Sequence, residues 1–390
     1  MRKLVVFIIF FILPTGLLAG THDSKPFVIG ETITFKSDIL NEDRQILISK
    51  PAGYDQSSAK YPVMYLLDGN AHFHHTTGII QFLSSVGNMP QMIVVAIPNT
   101  QRTRDLTPAT SDTSSRLRNA GGADDFLKFI TRELMPHVEN NYRTQPYKLL
   151  VGHSFGGLFA INTLLTHPDF FDAYVASSPS LWWDTQRLID DAKPFLQSNS
   201  GLKNFLFVTL GNEGGDMLPA AQAFVQVLKK HAPVGLEWQY DHMEDETHGS
   251  IPHRTTYNAL EKLYMDWRLP IEIVRTASLD DLDAHFEKLS KKFGYQIITP
   301  EGSVNRLGYR LLGAKKMAEA ITVFKRNVKV YPESVNAYDS LGDGYDANRQ
   351  FILAAKNYEI SYKKALETSH PNLQVYMNNF ERLQKKLASD

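Results

Sequence analysis

From Phe27 to about Arg268 the chain alternates two kinds of apolar spacing. Short runs rich in β-branched and aromatic residues read as strands: ETITFKS, RQILISK, YPVMYLLDG, QMIVVAIPN, YKLLVGHS, FDAYVASS, NFLFVTLGN and LEWQYDHM. Several of them, VMYLL, IVVAI and FLFVTL among them, are apolar at every position, as strands covered on both faces should be. Segments between them, such as DDFLKFITRELMPHVENNY and LPAAQAFVQVLKKHA, repeat apolar residues at three and four and read as helices. Strand-helix alternation predicts a mainly parallel sheet with helices on both faces. The first two strands have no helix between them, so an antiparallel pair should open the sheet.

Around Pro270 the pattern changes. Strands become scarce, SLDDLDAHFEKLSKKFG reads as an amphipathic helix, and a repeat follows. Leu307 and Leu341, Gly308 and Gly342, Ala320 and Ala354, and Phe324 and Tyr358 all recur at a period of 34. Leu-Gly, then a small residue, then an aromatic at these positions resembles the tetratricopeptide repeat, a helix-turn-helix unit. Pro332 stands where that repeat ends, and Leu366 takes the place in the second copy. Two copies are fewer than the three usually needed to bury a continuous core, so the helix before Gly294 and the helix NLQVYMNNFERLQKKL are expected to flank them. Such a segment can bind a protein or peptide partner, or merely pack on its neighbour.

At the other end, Arg2 and Lys3, the apolar run Leu4 to Leu13 and the exit Pro14 to Gly20 have the anatomy of a signal peptide, with cleavage expected near Ala19 or Gly20. An uncleaved anchor is the alternative. Cleavage implies a periplasmic or secreted protein with no stable membrane span. The 390 residues carry a formal net charge of -1, which gives no reason to expect a nucleic-acid partner. With no cysteine, the chain has no disulfide, thiolate metal site, cysteine nucleophile or lipid-anchoring cysteine.

The chemistry concentrates around VGHSFGGLFA. Ser154 has Gly152 and Gly156 two positions to either side, and it follows a buried strand and precedes the helix FGGLFAINTLLTH. Side chains at the two glycines would collide as strand and helix converge. A turn this tight exposes the hydroxyl at the carboxyl end of the sheet and aims the Phe155 N–H toward an oxyanion. A serine merely capping a helix is the plain alternative.

A nucleophilic serine needs a base and an orienting acid, expected in the order acid then histidine at later strand ends. NFLFVTLGNEGGD supplies Glu213, nearest the strand end, and Asp216, which can instead cap the next helix. His248 lies in a loop after LEWQYDHM, whereas His242 is close to the strand and His253 falls in the following helix behind Pro252. Read as a metal cluster, His242, Glu244, Glu246, His248 and His253 lack the helical H-E-x-x-H register. The second oxyanion donor should be the backbone N–H of Asn70, after the third strand; nearby His72, His74 and His75 read as pocket-lining or solvated rather than metal-binding.

YPVMYLLDGN, GHSFGG, SSPSLWW, GNEGGD and ETHGSIP, in this order, resemble the esterase D and enterochelin (ferric-siderophore) esterase branch of the α/β-hydrolases across most of residues 27 to 268. The resemblance implies an α/β-hydrolase fold and hydrolysis of a small-molecule carboxylic ester with no cofactor and no metal; the 34-residue period adds a small all-α repeat domain, in which the chain departs from the short siderophore esterases. Together with the signal-peptide anatomy and the repeats, it divides the chain into a signal peptide (1–20), a catalytic domain (21–270), a linker helix (271–300) and helical repeats with a capping helix (301–390). It implies Ser154 as nucleophile, His248 as base, Glu213 as acid, and Asn70 and Phe155 as oxyanion donors. Two stretches are similar to pocket elements of the branch. RTRDLTP offers Arg102 and Arg104 to an anionic substrate group, against a salt bridge with Asp105, and SLWWD offers Trp182 and Trp183 as an apolar wall, one of them as core packing. His72 belongs to the same set of substrate contacts. An acyltransferase or peptidase would use the same residues, and a partner-binding protein with an idle hydrolase fold would use only the repeats.

Overall fold

The computed structural model of the chain describes residues 24, 26–111 and 119–389. The signal-peptide reading falls on residues 1–20, outside the described residues. Among the described residues, no helix is long and apolar enough to cross a membrane.

Eight strands form one sheet: β1 (Glu31–Ser37), β2 (Glu42–Ser49), β3 (Tyr61–Leu67), β4 (Ile93–Ile97), β5 (Thr144–His153), β6 (Ala173–Ser177), β7 (Phe205–Gly211) and β8 (Glu237–Met243). Their order is β1-β2-β4-β3-β5-β6-β7-β8. The pairs β1–β2 and β2–β4 are antiparallel, and every later pair is parallel. All eight strands expected from the apolar runs are present, and the pair that lacks an intervening helix opens the sheet.

Helices cover both faces. They are α1 (Gly69–Ser85), α2 (Arg102–Leu106), α3 (Ala123–Lys128), α4 (Met135–Asn141), α5 (Phe155–Thr166), α6 (Trp183–Ser198), α7 (Met217–His231) and α8 (Ile251–Leu263). A π-helical turn, Phe129–Leu134, joins α3 to α4. Period-two alternation sorts each strand between two cores. In β3, Val63, Tyr65 and Leu67 face a cluster with Phe126, Phe159 and Phe224, while Met64 and Leu66 face one with Ile80, Leu83 and Leu260.

The all-helical remainder comprises α9 (Ile271–Thr276), α10 (Leu279–Phe293), α11 (Glu301–Gly313), α12 (Met317–Val330), α13 (Val335–Ala347), α14 (Phe351–Glu367) and α15 (Leu373–Ser389). The two hairpins α11–α12 and α13–α14 are built alike. Gly308 lies under the Phe324 ring, and Gly342 under the Tyr358 ring, so that a Cβ at either would strike the ring. Ala320, Phe324, Leu341, Ala354, Tyr358 and Leu383 share one core, which places α15 against the second hairpin. One element expected as a linker does more than connect. Phe286, Leu289 and Phe293 of α10 are buried in the same cluster as Tyr147 and Tyr264, so the apolar core of the sheet continues past residue 270.

Candidate active site

Three non-glycine residues with positive φ stand at the carboxyl ends of parallel strands. Asp68, just after β3, has φ 53; Ser154, just after β5, has φ 60; Ser178, just after β6, has φ 40. Each is a non-glycine residue in a backbone region that L side chains rarely adopt, and such residues persist only where their surroundings hold them. At Ser154 those surroundings are specific. The Ser154 N–H donates to the Ser177 carbonyl (2.9 Å), and the Ser154 carbonyl accepts from Leu158 N (2.9 Å) and Ser180 N (3.1 Å). A Cβ at Gly152 would overlap the Gly156 carbonyl, and one at Gly157 would press on Pro179. The glycines are therefore required by the turn that presents the serine.

A second constraint ties this turn to the end of β3. Arg102 Nε donates to Asp68 Oδ1 (2.6 Å), Arg102 Nη2 to Asp68 Oδ2 (3.0 Å), and Arg102 Nη2 also to the His153 carbonyl (3.0 Å). Asn99 Nδ2 adds a bond to Asp68 Oδ1 (2.6 Å). Burial raises the Asp68 pKa, but the Arg102 and Asn99 hydrogen bonds outweigh it and hold the carboxyl below its ordinary range. Asn70 and Phe155 stand in the first turns of α1 and α5, where backbone N–H groups have no intrahelical acceptor. The two helix starts are neighbours: a Cβ at Gly156 would lie 3.2 Å from Asp68 Oδ2.

On the other side, His248 Nδ1 is 2.6 Å from Glu213 Oε2. Glu213 Oε1 accepts from the Ser178 hydroxyl and from the Gly211 N–H, the latter at 3.1 Å. Burial raises the Glu213 pKa, yet the hydrogen bonds from His248 and Ser178 dominate and lower it, so the carboxylate stays ionised. The Asn212 N–H donates to the Glu246 carbonyl (2.7 Å), which joins the loop of the acid to the loop of the histidine. Asp216 occupies the N-cap position of α7 without a side-chain capping bond. Ser154, Ser180, Trp182, Asn212, Glu213, Gly214, Met217 and His248 together line an open pocket of about 400 Å³. Within it Ser154 Oγ lies 3.3 Å from Ser180 Oγ, its hydrogen-bond partner in this arrangement, rather than in a bond to His248.

The remaining expected contacts divide. Trp182 is 37% exposed and lines the pocket, while Trp183 is core at 2%. Arg104, offered either to an anionic substrate group or to a salt bridge with Asp105, makes the salt bridge (2.6 Å) and a second one with Glu42 (2.7 Å), and Arg44 completes a partly buried ion-pair network with both acids. Its donors are consumed there. Arg102 likewise spends its fork on Asp68 and lies over the Phe155 ring (5.5 Å to its centroid). His72 does not line the pocket; its Nδ1 is 3.1 Å from His75 Nε2. Among the described residues, no group of three or more His, Asp or Glu is arranged to hold a metal.

Sequence reasoning missed the residues that work through others. Ser178 and Ser180 lie in SSPS, and Asp68 in LLDG, short polar residues directly after apolar strands. His153, beside the serine, packs with its ring tilted against His248 (centroids 4.5 Å apart) and edge-on to His72 (5.6 Å). Burial first, then the neighbouring imidazoles of His248 and His72, push its pKa down to about 4, so it is neutral near pH 7. The usable signal was position: a polar residue directly at the end of an all-apolar strand.

Sheet order, elbow and pocket define a hydrolase of the α/β class, and comparison with known proteins agrees. Residues 37–248 match the family described as putative esterase, which is more than half of the chain, and the chain belongs to that family. It is 35% identical over 193 residues to the ferri-bacillibactin esterase BesA of Bacillus subtilis, covering 44% of this chain and 64% of that protein. It is 30% identical over 212 residues to the siderophore triacetylfusarinine C esterase of Aspergillus fumigatus, covering 51% of this chain and 68% of that protein. Among solved structures, an IroE-like serine hydrolase from Shewanella oneidensis is 30% identical, with a TM-score of 0.68 over 77% of this chain and 99% of that one.

Proposed function

We propose that the chain is a serine esterase that hydrolyses carboxylic esters through an acyl-enzyme, with Ser154 as nucleophile, His248 as base and Glu213 as the orienting acid. The observation that carries this reading is a single pocket lined by a strained serine and by a histidine whose Nδ1 lies 2.6 Å from a buried carboxylate. The Ser154 hydroxyl rotates from Ser180 to the free Nε2 of His248 as substrate enters, a tightening expected of a site without ligand. His248 takes the proton while Oγ attacks the ester carbonyl. The N–H groups of Asn70 and Phe155 receive the oxyanion, each worth about 3 to 4 kcal/mol. Collapse expels the alcohol, which takes the proton from His248, and water repeats the cycle to release the acid. Ionised Glu213 fixes the tautomer that leaves Nε2 free to accept. Trp182 and Met217 give the acyl or alkoxy group an apolar wall.

The two curated relatives are named for siderophore esters, and such esters are the substrates we assign first. Glu42 and Asp105 occupy Arg104, so an anionic substrate group does not depend on that side chain. The hairpins of residues 301–390, with their 34-residue period, support a tetratricopeptide-like segment. Ser154→Ala tests the mechanism: the variant should fold normally and lose p-nitrophenyl acetate hydrolysis by at least about 10⁴-fold. Retained turnover would overturn the assignment. A panel of acetyl, feruloyl and siderophore trilactone esters then ranks the substrates by kcat/KM.

A further inference from the structure

A cavity separate from the catalytic pocket lies where the α/β unit meets the helical segment. Its volume is about 660 Å³, within the range of roughly 300 to 1,000 Å³ typical of small-molecule sites. One wall is the end of α1 and the turn after it, including Ser84, Gly87 and Met89; another is the stretch Trp267 to Ala277; the third is α10 and α11. The helix α1 starts beside the catalytic rim and is 17 residues long, so the cavity sits about 25 Å away from that rim.

Its chemistry is lopsided. Met89, Ala277, Leu282, Phe286 and Leu307 make a floor of side chains each less than a tenth exposed. Arg268, Arg306 and Arg310 stand around that floor, and no Asp or Glu lines the cavity among the described residues. In a chain of net charge -1, three uncompensated guanidinium groups around one apolar floor are a local exception. Two of them are partly engaged. Arg310 donates to the carbonyls of Val274 and Ala277, and Arg268 Nη1 donates to Asn88 Oδ1 (3.1 Å). Arg306, on the exposed face of α11, makes no hydrogen bond or ion pair among the described residues, so its full fork is open.

We propose that this cavity is a binding site for a small organic carboxylate with an apolar body, its head on Arg306 and Arg268 and its tail on the floor formed by Leu282, Phe286 and Leu307. A planar guanidinium matches a carboxylate bidentately, which favours this head group. The apolar floor gives an organic tail a contact that an inorganic anion cannot use. An occupant would bridge α1 and α11 and so fasten the helical segment to the sheet. The site does not depend on the esterase reading, since it shares no residue with the Ser154 pocket.

Decanoate is a suitable probe, with decanol and inorganic phosphate as controls, titrated into the full chain by calorimetry. The expected result is one saturable site for decanoate, at least tenfold weaker binding of decanol, and no displacement of decanoate by equimolar phosphate. Arg306→Glu should weaken decanoate at least tenfold, and Arg306→Ala severalfold, with p-nitrophenyl acetate turnover unchanged in both. Arg306 is exposed and unpartnered, so both variants should fold. The proposal is overturned by the absence of saturable decanoate binding, by decanol binding as tightly, by displacement with phosphate, or by unchanged affinity in Arg306→Glu, which would place decanoate elsewhere.

Discussion

The carboxyl-end rim of the sheet and the helical hairpins both contain non-glycine residues with positive φ, and they treat them in opposite ways. In the hairpins, Lys315 (φ 59) and Arg349 (φ 58) follow α11 and α13 at equivalent places of the repeat. Each sits in a closing motif that satisfies the helix end: Lys316 N–H donates to the Leu311 carbonyl and Lys315 N–H to Leu312, while Gln350 and Arg349 bond Tyr345 and Asp346. The left-handed residue there ends a helix and nothing more. At the rim, Ser154 has φ 60 with ψ -114, which closes no helix; it points a hydroxyl into a pocket. Positive φ in the hairpins accompanies chain reversal, whereas at the rim it sets the Ser154 side chain into the pocket that Glu213 and His248 also line.

Substitutions should therefore separate the two regions by what they damage. Beyond Ser154→Ala, the largest effect is expected from Glu213→Gln. It keeps the shape but loses the charge that Ser178, Gly211 and His248 converge upon. Turnover of p-nitrophenyl acetate should fall by about 10³ to 10⁴-fold, as when a triad acid becomes its amide elsewhere. Thermal stability should change little by comparison. A loss below tenfold would mean that Ser154 and His248 act as a pair, with Glu213 only a packing residue.

The converse experiment sits in the hairpins. A Cβ at Gly342 would lie 2.6 Å from the Tyr358 ring, which is fully buried and has no room to retreat. Overpacking costs about 1 to 3 kcal/mol, and better helix propensity returns up to about 1 kcal/mol. Gly342→Ala should thus cost about 1 to 2 kcal/mol in denaturant unfolding, and Gly308→Ala under Phe324 should match it. Esterase turnover should not move. If it falls in step with stability, the hairpins and the rim are one cooperative unit and the contrast between them dissolves.

Strand number, sheet order at the antiparallel edge, the elbow and the 34-residue period were all legible because each is a local pattern. Apolar runs and glycine spacing do not depend on what lies across the fold. Ser178, Asp68 and Asn99 were not legible in their roles, since a short polar side chain reads as a turn residue until the register brings its partner beside it. Asp68 and Arg102 are 34 positions apart and meet only because β3 and β4 are parallel neighbours. The salt bridge of Arg104 with Asp105 was legible as an alternative, but its second partner Glu42 was not, because Glu42 comes from β2, across 62 positions. The helix α10 looked like a connector because amphipathicity reveals a buried face but not which core buries it.

Acidity should sharpen the contrast at the next level down. His153 and His75 are held neutral, with pKa values pushed to about 4 by burial first and by neighbouring imidazoles second. In the unfolded chain a histidine titrates near 6.5. Between those values the unfolded state binds more protons, so stability is complete above about pH 6.5 and falls as pH drops toward 4. The slope is up to about 1.4 kcal/mol per pH unit for His153, and smaller for the half-buried His75, where solvent screens the charge. His153→Phe should flatten that limb by its own share in unfolding experiments across pH 4 to 7. An unchanged slope would mean that His153 is solvated and free to charge beside Asp68.

The smallest effect is the cleanest discriminator. Lys315→Gly and Arg349→Gly each remove a Cβ from a left-handed position while leaving the closing backbone bonds intact. Relief of the left-handed penalty, about 1 to 2 kcal/mol, is opposed by the extra freedom glycine gives the unfolded chain, about 0.4 to 1 kcal/mol. Each variant should therefore gain about 0.5 to 1 kcal/mol, and the pair should add, because the two turns belong to separate hairpins. Turnover should be untouched. At Ser178 the same relief of φ would delete the hydroxyl that donates to Glu213, so stability and activity would part company there. A stabilised, fully active Lys315→Gly would thus establish that positive φ in the hairpins serves only chain reversal, and a drop in turnover would show that the hairpins carry strain on behalf of the distant pocket.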